Sequence, residues 1–110
     1  MTTTRFSADD LCIAAHSGDY RLVKKLIDAK VDVNAFGINS ARTPLMIAAY
    51  FPGNINVVKL LLARNADPFI PTRQGYTAIY ISRLQNFNPC LTLLEDFEKI
   101  QPPPAPLPLP

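Results

Sequence analysis

The sequence has a single histidine, two cysteines and four glycines, and no long apolar run. Each shortage excludes a class of protein. Cys12 and Cys90 stand far apart with no Cys-x-x-Cys spacing, so neither a disulfide framework nor a zinc site is indicated. Both fall inside apolar helical patterns and are expected to act as small buried hydrophobes. The histidine, His16, has no carboxylate or cysteine partner visible in the sequence, and no GxGxxG, Walker loop or HExxH occurs. A nucleophile, a base and a metal held in one place are the ordinary marks of catalysis, so the chain is expected to be no enzyme and to carry no cofactor or metal. "MTTTRFSADD" lacks the apolar core of a signal peptide, and nothing approaches the roughly 20 apolar residues that a spanning helix needs. A soluble, cytoplasmic protein without membrane contact is expected.

Charge is scarce too. Charged residues make up 18% of the 110, and the net charge is +2, which argues against a chain built to wrap nucleic acid. The distribution is less even than the total. Between residues 20 and 90 there are nine basic residues against three acidic ones, Asp28, Asp32 and Asp67. A partner with an acidic surface or peptide is mildly favoured, although a solvated outer face accounts for the same pattern.

What the sequence does have is repetition. Leu11, Leu45 and Ile79 are spaced by 34, as are Ala14, Ala48 and Ser82. After each comes a break and a second apolar segment: "YRLVKKLIDAKVDVNA", "INVVKLLLARNADPFI" and "NPCLTLLEDFEKI". The second segment of the middle copy is apolar almost all round, so it must be covered on both sides. Its neighbours turn polar at different positions: Lys25 stands where the others have Leu60 and Leu93, and Glu95 where they have Ile27 and Leu62. That is the pattern of a left cap and a right cap around a buried middle unit.

Local signals punctuate the copies. Ser7 with Asp10 forms a capping pattern, Thr43-Pro44 and Asn88-Pro89 read as helix starts, and Asn65 as a helix end. Gly18, Gly53 and Asn86 suit turns between helices.

"TPLMIAA", the Gly53-Asn54 turn, "VVKLLLARNADP", "AAHSGD" and "LIDAKVDVNA" together resemble the ankyrin repeat over roughly residues 8 to 100. The resemblance implies an all-α solenoid of three helix-turn-helix units with projecting finger loops, at about 8–40, 41–74 and 75–100. Residues 1–7 are then a flexible N-terminus and 101–110 a proline-rich disordered tail. It also implies recognition of another protein by a monomer, through its finger loops and concave helix face, without catalysis.

The departures from that pattern carry expectations of their own. Lys30 occupies the position of a helix-ending glycine, so it either adopts a left-handed conformation or remodels the turn, leaving a slightly irregular first finger. "AFGINSAR" and "AAYFPG" are each one residue longer than the usual pattern and should bulge on the surface. Met46 and Tyr80 replace the histidine whose ring commonly ties units together, and both read as packing between repeats. Pro68 and Pro71 in the second finger make a regular ladder doubtful and an extended loop the expectation.

The positions matching the family's contact surface are Phe36, Ile38, Asn39 and Arg42 on the first finger and Ile70, Thr72, Arg73 and Gln74 on the second. His16, Met46, Tyr50, Phe51 and Tyr80 join them from the helices. Aromatic and apolar side chains with arginine are the composition of interface anchors, although Phe36 could equally pack, and Tyr50 and Phe51 could fill space beside Pro52. A second reading makes the chain a substrate. "LIDAKVDVN" resembles the stretch around the finger asparagine that an asparaginyl hydroxylase modifies, which marks Asn34, although bonding backbone groups within its own turn is the simpler duty. "QPPPAPLPLP" holds six of the eleven prolines, and Pro103 with Pro106 gives a minimal PxxP for an SH3-type domain. No flanking cation supports it, and a linker is the plainer reading.

Overall fold

The structure, a computed structural model, describes residues 6–51, 54–84 and 88–100. The first five residues, the Gly53 and Asn86 turns, and the whole proline tail with Pro103 and Pro106 lie outside the described residues.

Among the described residues there are six helices and no strand. They run α1 (Ala8–Ser17), α2 (Tyr20–Asp28), α3 (Pro44–Tyr50), α4 (Ile55–Ala63), α5 (Ala78–Arg83) and α6 (Pro89–Ile100). Consecutive helices pair, so α1 packs on α2, α3 on α4 and α5 on α6. Two rows result: α3 lies between α1 and α5, while α4 lies between α2 and α6.

The helix starts are set by side chains. Ser7 accepts the Asp10 N–H at 3.3 Å while the Asp10 carboxylate accepts the Ser7 N–H at 2.8 Å, a reciprocal box that satisfies two free donors. Thr43 Oγ1 accepts the Met46 N–H at 3.3 Å, and Pro44 at the first helical position has no donor to lose. The sulfur of Met46 lies 3.5 Å from the Thr43 N–H and serves as a weak acceptor where the family commonly has a histidine. Tyr80 does not pack between repeats: it is exposed and stacks on Tyr76, ring centroids 4.6 Å apart.

Three helix ends share one geometry. Gly18, Lys30 and Asn65 have φ of 71°, 72° and 72°, and the N–H after each, from Asp19, Val31 and Ala66, returns to the carbonyls of Ala14, Leu26 and Leu61. Lys30 therefore takes the left-handed conformation and the turn keeps its form. The irregularity of the first finger lies further on, at Ala41 with φ 56°.

The core follows the repeat. Leu11, Leu26, Leu45, Leu61, Ile81 and Leu94 are fully buried, each contributing about 1.5–3 kcal/mol relative to exposure. Every residue of α3 from Pro44 to Ala49 is buried. Lys25 is exposed where Leu60 is buried, as a left cap requires. At the opposite end Glu95 is half-buried, its carboxylate 3.7 Å from Arg83.

Polar ties join the units. Asn54 Nδ2 donates to the Ala15 carbonyl at 2.9 Å, and Asn88 Nδ2 to the Ala49 carbonyl at 2.6 Å. Each asparagine opens the second helix of its unit and reaches the end of the first helix one unit back. A Cβ on Gly18 would stand 2.6 Å from Asn54 Oδ1, so the absence of a side chain there makes room for the tie. Asn34 works at the finger base. Its Oδ1 accepts the Asp67 N–H at 2.7 Å and its Nδ2 donates to the Asn65 carbonyl at 3.3 Å. The expectation that Asn34 bonds within its own turn is corrected: the side chain bridges to the next unit, while its own N–H goes to Asp32.

Asn54→Ala and Asn88→Ala each remove a buried hydrogen bond between units, although the Ala15 carbonyl keeps its bond from the Gly18 N–H, and each is expected to cost about 1 kcal/mol. In a domain this small that lowers Tm by at least about 4 °C in a calorimetric scan. Exposed Asn56→Ala on the same helix is the control, with a change below about 0.5 kcal/mol; equal Tm values for the Asn54 and Asn56 variants would show that the tie carries no stability. Lys30→Gly removes left-handed strain and is expected to raise stability by up to about 1 kcal/mol, glycine's greater freedom in the unfolded chain offsetting part of the gain. Chemical denaturation checks the sign, and a fall in stability would contradict it.

Candidate interaction site

The first finger is shaped by contacts to α1. Gly37 N–H donates to the Arg42 carbonyl at 3.0 Å and Ala41 N–H to the Gly37 carbonyl at 2.9 Å, closing a tight loop over residues 37–42. Asp9 Oδ1 on α1 accepts the Asn39 N–H at 3.2 Å, and the Cys12 thiol donates to the Arg42 carbonyl at 3.5 Å. A Cβ on Gly37 would come within 3.0 Å of Ser40 Oγ, Asp9 Oδ1 and Cys12 Sγ, so glycine is what lets the finger approach so closely. The extra residue of this finger is thus a bulge pinned at its base.

Two grooves flank the finger. One, of about 540 Å³, runs between α1, the inner side of the finger and the end of α3. It gathers His16, Asn39, Arg42, Tyr50 and Phe51. Phe51 is the centre of an aromatic trio, edge-on to His16 and to Tyr50 with centroids 5.0 Å apart in both pairs. Such T-shaped pairs are worth about 0.5–1.5 kcal/mol beyond area and fix the ring faces. The second groove, of about 780 Å³, lies between the two fingers and gathers Phe36, Ile38, Arg73 and Gln74. Ile38 is 89% exposed and Phe36 41%, which leaves their apolar surface facing water.

Other sequence-expected residues fall elsewhere. Ile70 is half-buried against the core and lines neither groove. Met46 is buried in the core. Thr72, by contrast, lines the groove between the fingers but is buried there rather than projecting, its Oγ1 accepting the Tyr76 N–H at 3.1 Å. The second finger closes through Thr72 N–H to the Tyr76 carbonyl and Gly75 N–H to the Thr72 carbonyl, both at 2.9 Å, without a strand. Gly75 has φ 90°, which its turn requires.

The sequence reading missed Ile13, which lines the α1 groove and is 62% exposed. A signal was available: Ile13 stands off the stripe formed by Leu11, Ala14 and Ala15, yet is large and apolar. Asp9 and Ser40 were missed as well, because their part depends on the finger folding back.

Burial pushes the Cys12 thiol up, partly offset by the Ser40 hydroxyl, and burial likewise raises Cys90. Both cysteines are therefore protonated thiols at neutral pH and weak nucleophiles. Among the described residues no cluster of three His, Cys, Asp or Glu side chains could hold a metal ion, and no helix is long and apolar enough to cross a membrane.

Comparison with known proteins agrees with the repeat spacing. A family model of three ankyrin-repeat copies matches residues 11–102. The chain is 37% identical over 79 residues to the ankyrin repeat and SAM domain-containing protein 6 of Rattus norvegicus, covering 72% of this chain and 9% of that protein. It is 31% identical over 86 residues to the dauer abnormal formation protein 25 of Caenorhabditis elegans, covering 78% of this chain and 22% of that protein. The chain thus spans less than a quarter of these curated relatives. Six helices paired in three units, with a matching three-copy profile over nearly the whole length, place the chain in the ankyrin repeat family.

Proposed function

We propose that this chain holds a partner protein in the two grooves beside its first finger, with no catalytic step of its own. Ankyrin repeats are generally protein–protein interaction modules and generally non-catalytic. The observation that carries the finer reading is Ile38: a large aliphatic side chain, almost wholly exposed, in a loop that Asp9 fastens at Asn39 and Cys12 at Arg42. A fastened loop presents its side chains at a low entropic cost, and an exposed aliphatic residue gains most when a partner covers it. Phe36 and Ile38 anchor in the groove between the fingers, His16, Tyr50 and Phe51 form the aromatic wall of the other, and Arg42, Arg73, Asn39 and Gln74 supply polar orientation. The module works as an intracellular monomer.

The substrate reading has less support. Asn34 would have to release its bonds to Asn65 and Asp67 before an enzyme could reach its amide. The proline tail as an SH3-type ligand is tested in the same experiment as the grooves.

The test is affinity capture with mass spectrometry, comparing wild type, Phe36→Ala/Ile38→Ala and a chain ending at Ile100. Circular dichroism verifies that each remains folded. A partner captured by wild type and by the truncated chain is expected to lose at least about tenfold in affinity with the double variant, the scale of removing two anchors. Retention by the double variant overturns the finger assignment, and loss on truncation alone moves function to the tail.

A further inference from the structure

A second surface, separate from both grooves, lies on the outer row of helices. α2 buries Val23 and Leu26 and exposes Arg21, Lys24, Lys25 and Asp28, a stripe at helical spacing. α4 packs beside it and exposes Asn56, Lys59 and Ala63 at the same spacing. Tyr20, 44% exposed at the start of α2, lines the depression on α2 and also the one it shares with α4, whose floor includes Leu60.

The charges on this surface are one-sided. A solvated helix face usually mixes signs, with acids and bases paired along it. Here Asp28 is taken by Arg64 at 2.9 Å and Asp19 caps α2 through the Leu22 N–H at 3.1 Å. Among the described residues no carboxylate lies within ion-pair distance of Arg21, Lys24, Lys25 or Lys59. The chain's whole net charge is only +2, so these four cations are concentrated rather than average. The third outer helix has the opposite character, with Glu95, Asp96 and Glu98 against Lys99.

We infer that the α2–α4 face docks a short acidic segment of a partner protein, its carboxylates meeting Arg21, Lys24, Lys25 and Lys59 and an apolar side chain seated against Tyr20. Charge complementarity selects the sign of the partner, and the exposed Tyr20 ring, which lines both depressions beside the cations, offers an apolar contact to a peptide side chain. Nucleic acid fits less well. A nine-residue helix is only about 14 Å long, and neutralising the 6–10 phosphates typical of a duplex site would need more cations than this face offers.

A fluorescein-labelled eight-residue peptide of alternating glutamate and leucine is the probe, titrated against the full chain by fluorescence anisotropy at low and moderate salt. Binding is expected to weaken as salt rises and to fall about tenfold for Lys24→Glu/Lys25→Glu, while Phe36→Ala/Ile38→Ala binds as wild type does. That last comparison separates this surface from the grooves. Lys24→Gln/Lys25→Gln, which removes charge without adding repulsion, is expected to fall in between, and unchanged melting curves show that these exposed changes leave the fold intact. Equal affinity for wild type and the charge-reversed variant overturns the inference. So does binding only to phosphatidylserine vesicles, or only to a second copy of the chain in sedimentation at the same salt.

Discussion

The stack depends on a side-chain amide that does the work of backbone. Asn54 and Asn88 each stand at the start of a second helix and give their amide N–H to a carbonyl at the end of the first helix one unit earlier, Ala15 and Ala49. Helix ends leave carbonyls without partners, and in a closely packed row water cannot reach them. These amides bond carbonyls at the ends of the first helices from within the stack, beside α3, which is buried along nearly its whole length. Small residues at Ala14, Ala15, Ala48 and Ala49 then allow the close approach that the bond demands. Gly18 completes the joint by leaving space for Asn54 Oδ1.

The architecture passes this constraint on to the interaction surface. α1 fixes the first finger through Asp9 and Cys12, α3 brings Tyr50 and Phe51 to the groove beside it, and Asn34 ties the base of the first finger to the loop after α4. Each groove is therefore bounded by two successive units. Its width is set by the joint between them, not by the loop alone.

Much of this was legible in the sequence, for reasons that can be named. The period of 34 exposed the units because each must bury the same face, and Ser7, Thr43 and Asn88 marked helix starts because few side chains can bond free N–H groups. Thirteen positions were expected to form the contact surface, and ten of them line the two grooves; Ile70 packs inward, Met46 is buried in the core and Tyr80 stacks on Tyr76 instead. The reach of Asn54 could not be read, since its acceptor is a backbone carbonyl 39 residues away and every residue carries one. Ala41 gave no warning either: alanine has no preference for positive φ, and only the closed loop around it imposes that conformation. Thr72 and Tyr80 exchanged burial with expectation because the second finger turns tightly, which buries the hydroxyl and leaves Tyr80 to stack on Tyr76 at the surface.

The polar side chains at the joints, Asn34, Asn54 and Asn88, are all neutral amides, and the Met46 sulfur takes the place where the family commonly has a titrating ring. None of these groups gains or loses a proton across the physiological range, and none depends on counterions. The ion pair that crosses units, Arg64 with Asp28, lies on the exposed outside, where such pairs contribute little. The ties between the units are thus carried by groups that neither titrate nor pair with ions. The outer helices differ, because the field of cations spread over α2 and α4 is screened as salt rises. One small chain therefore carries joints built from neutral groups beside an outer face built from charged ones.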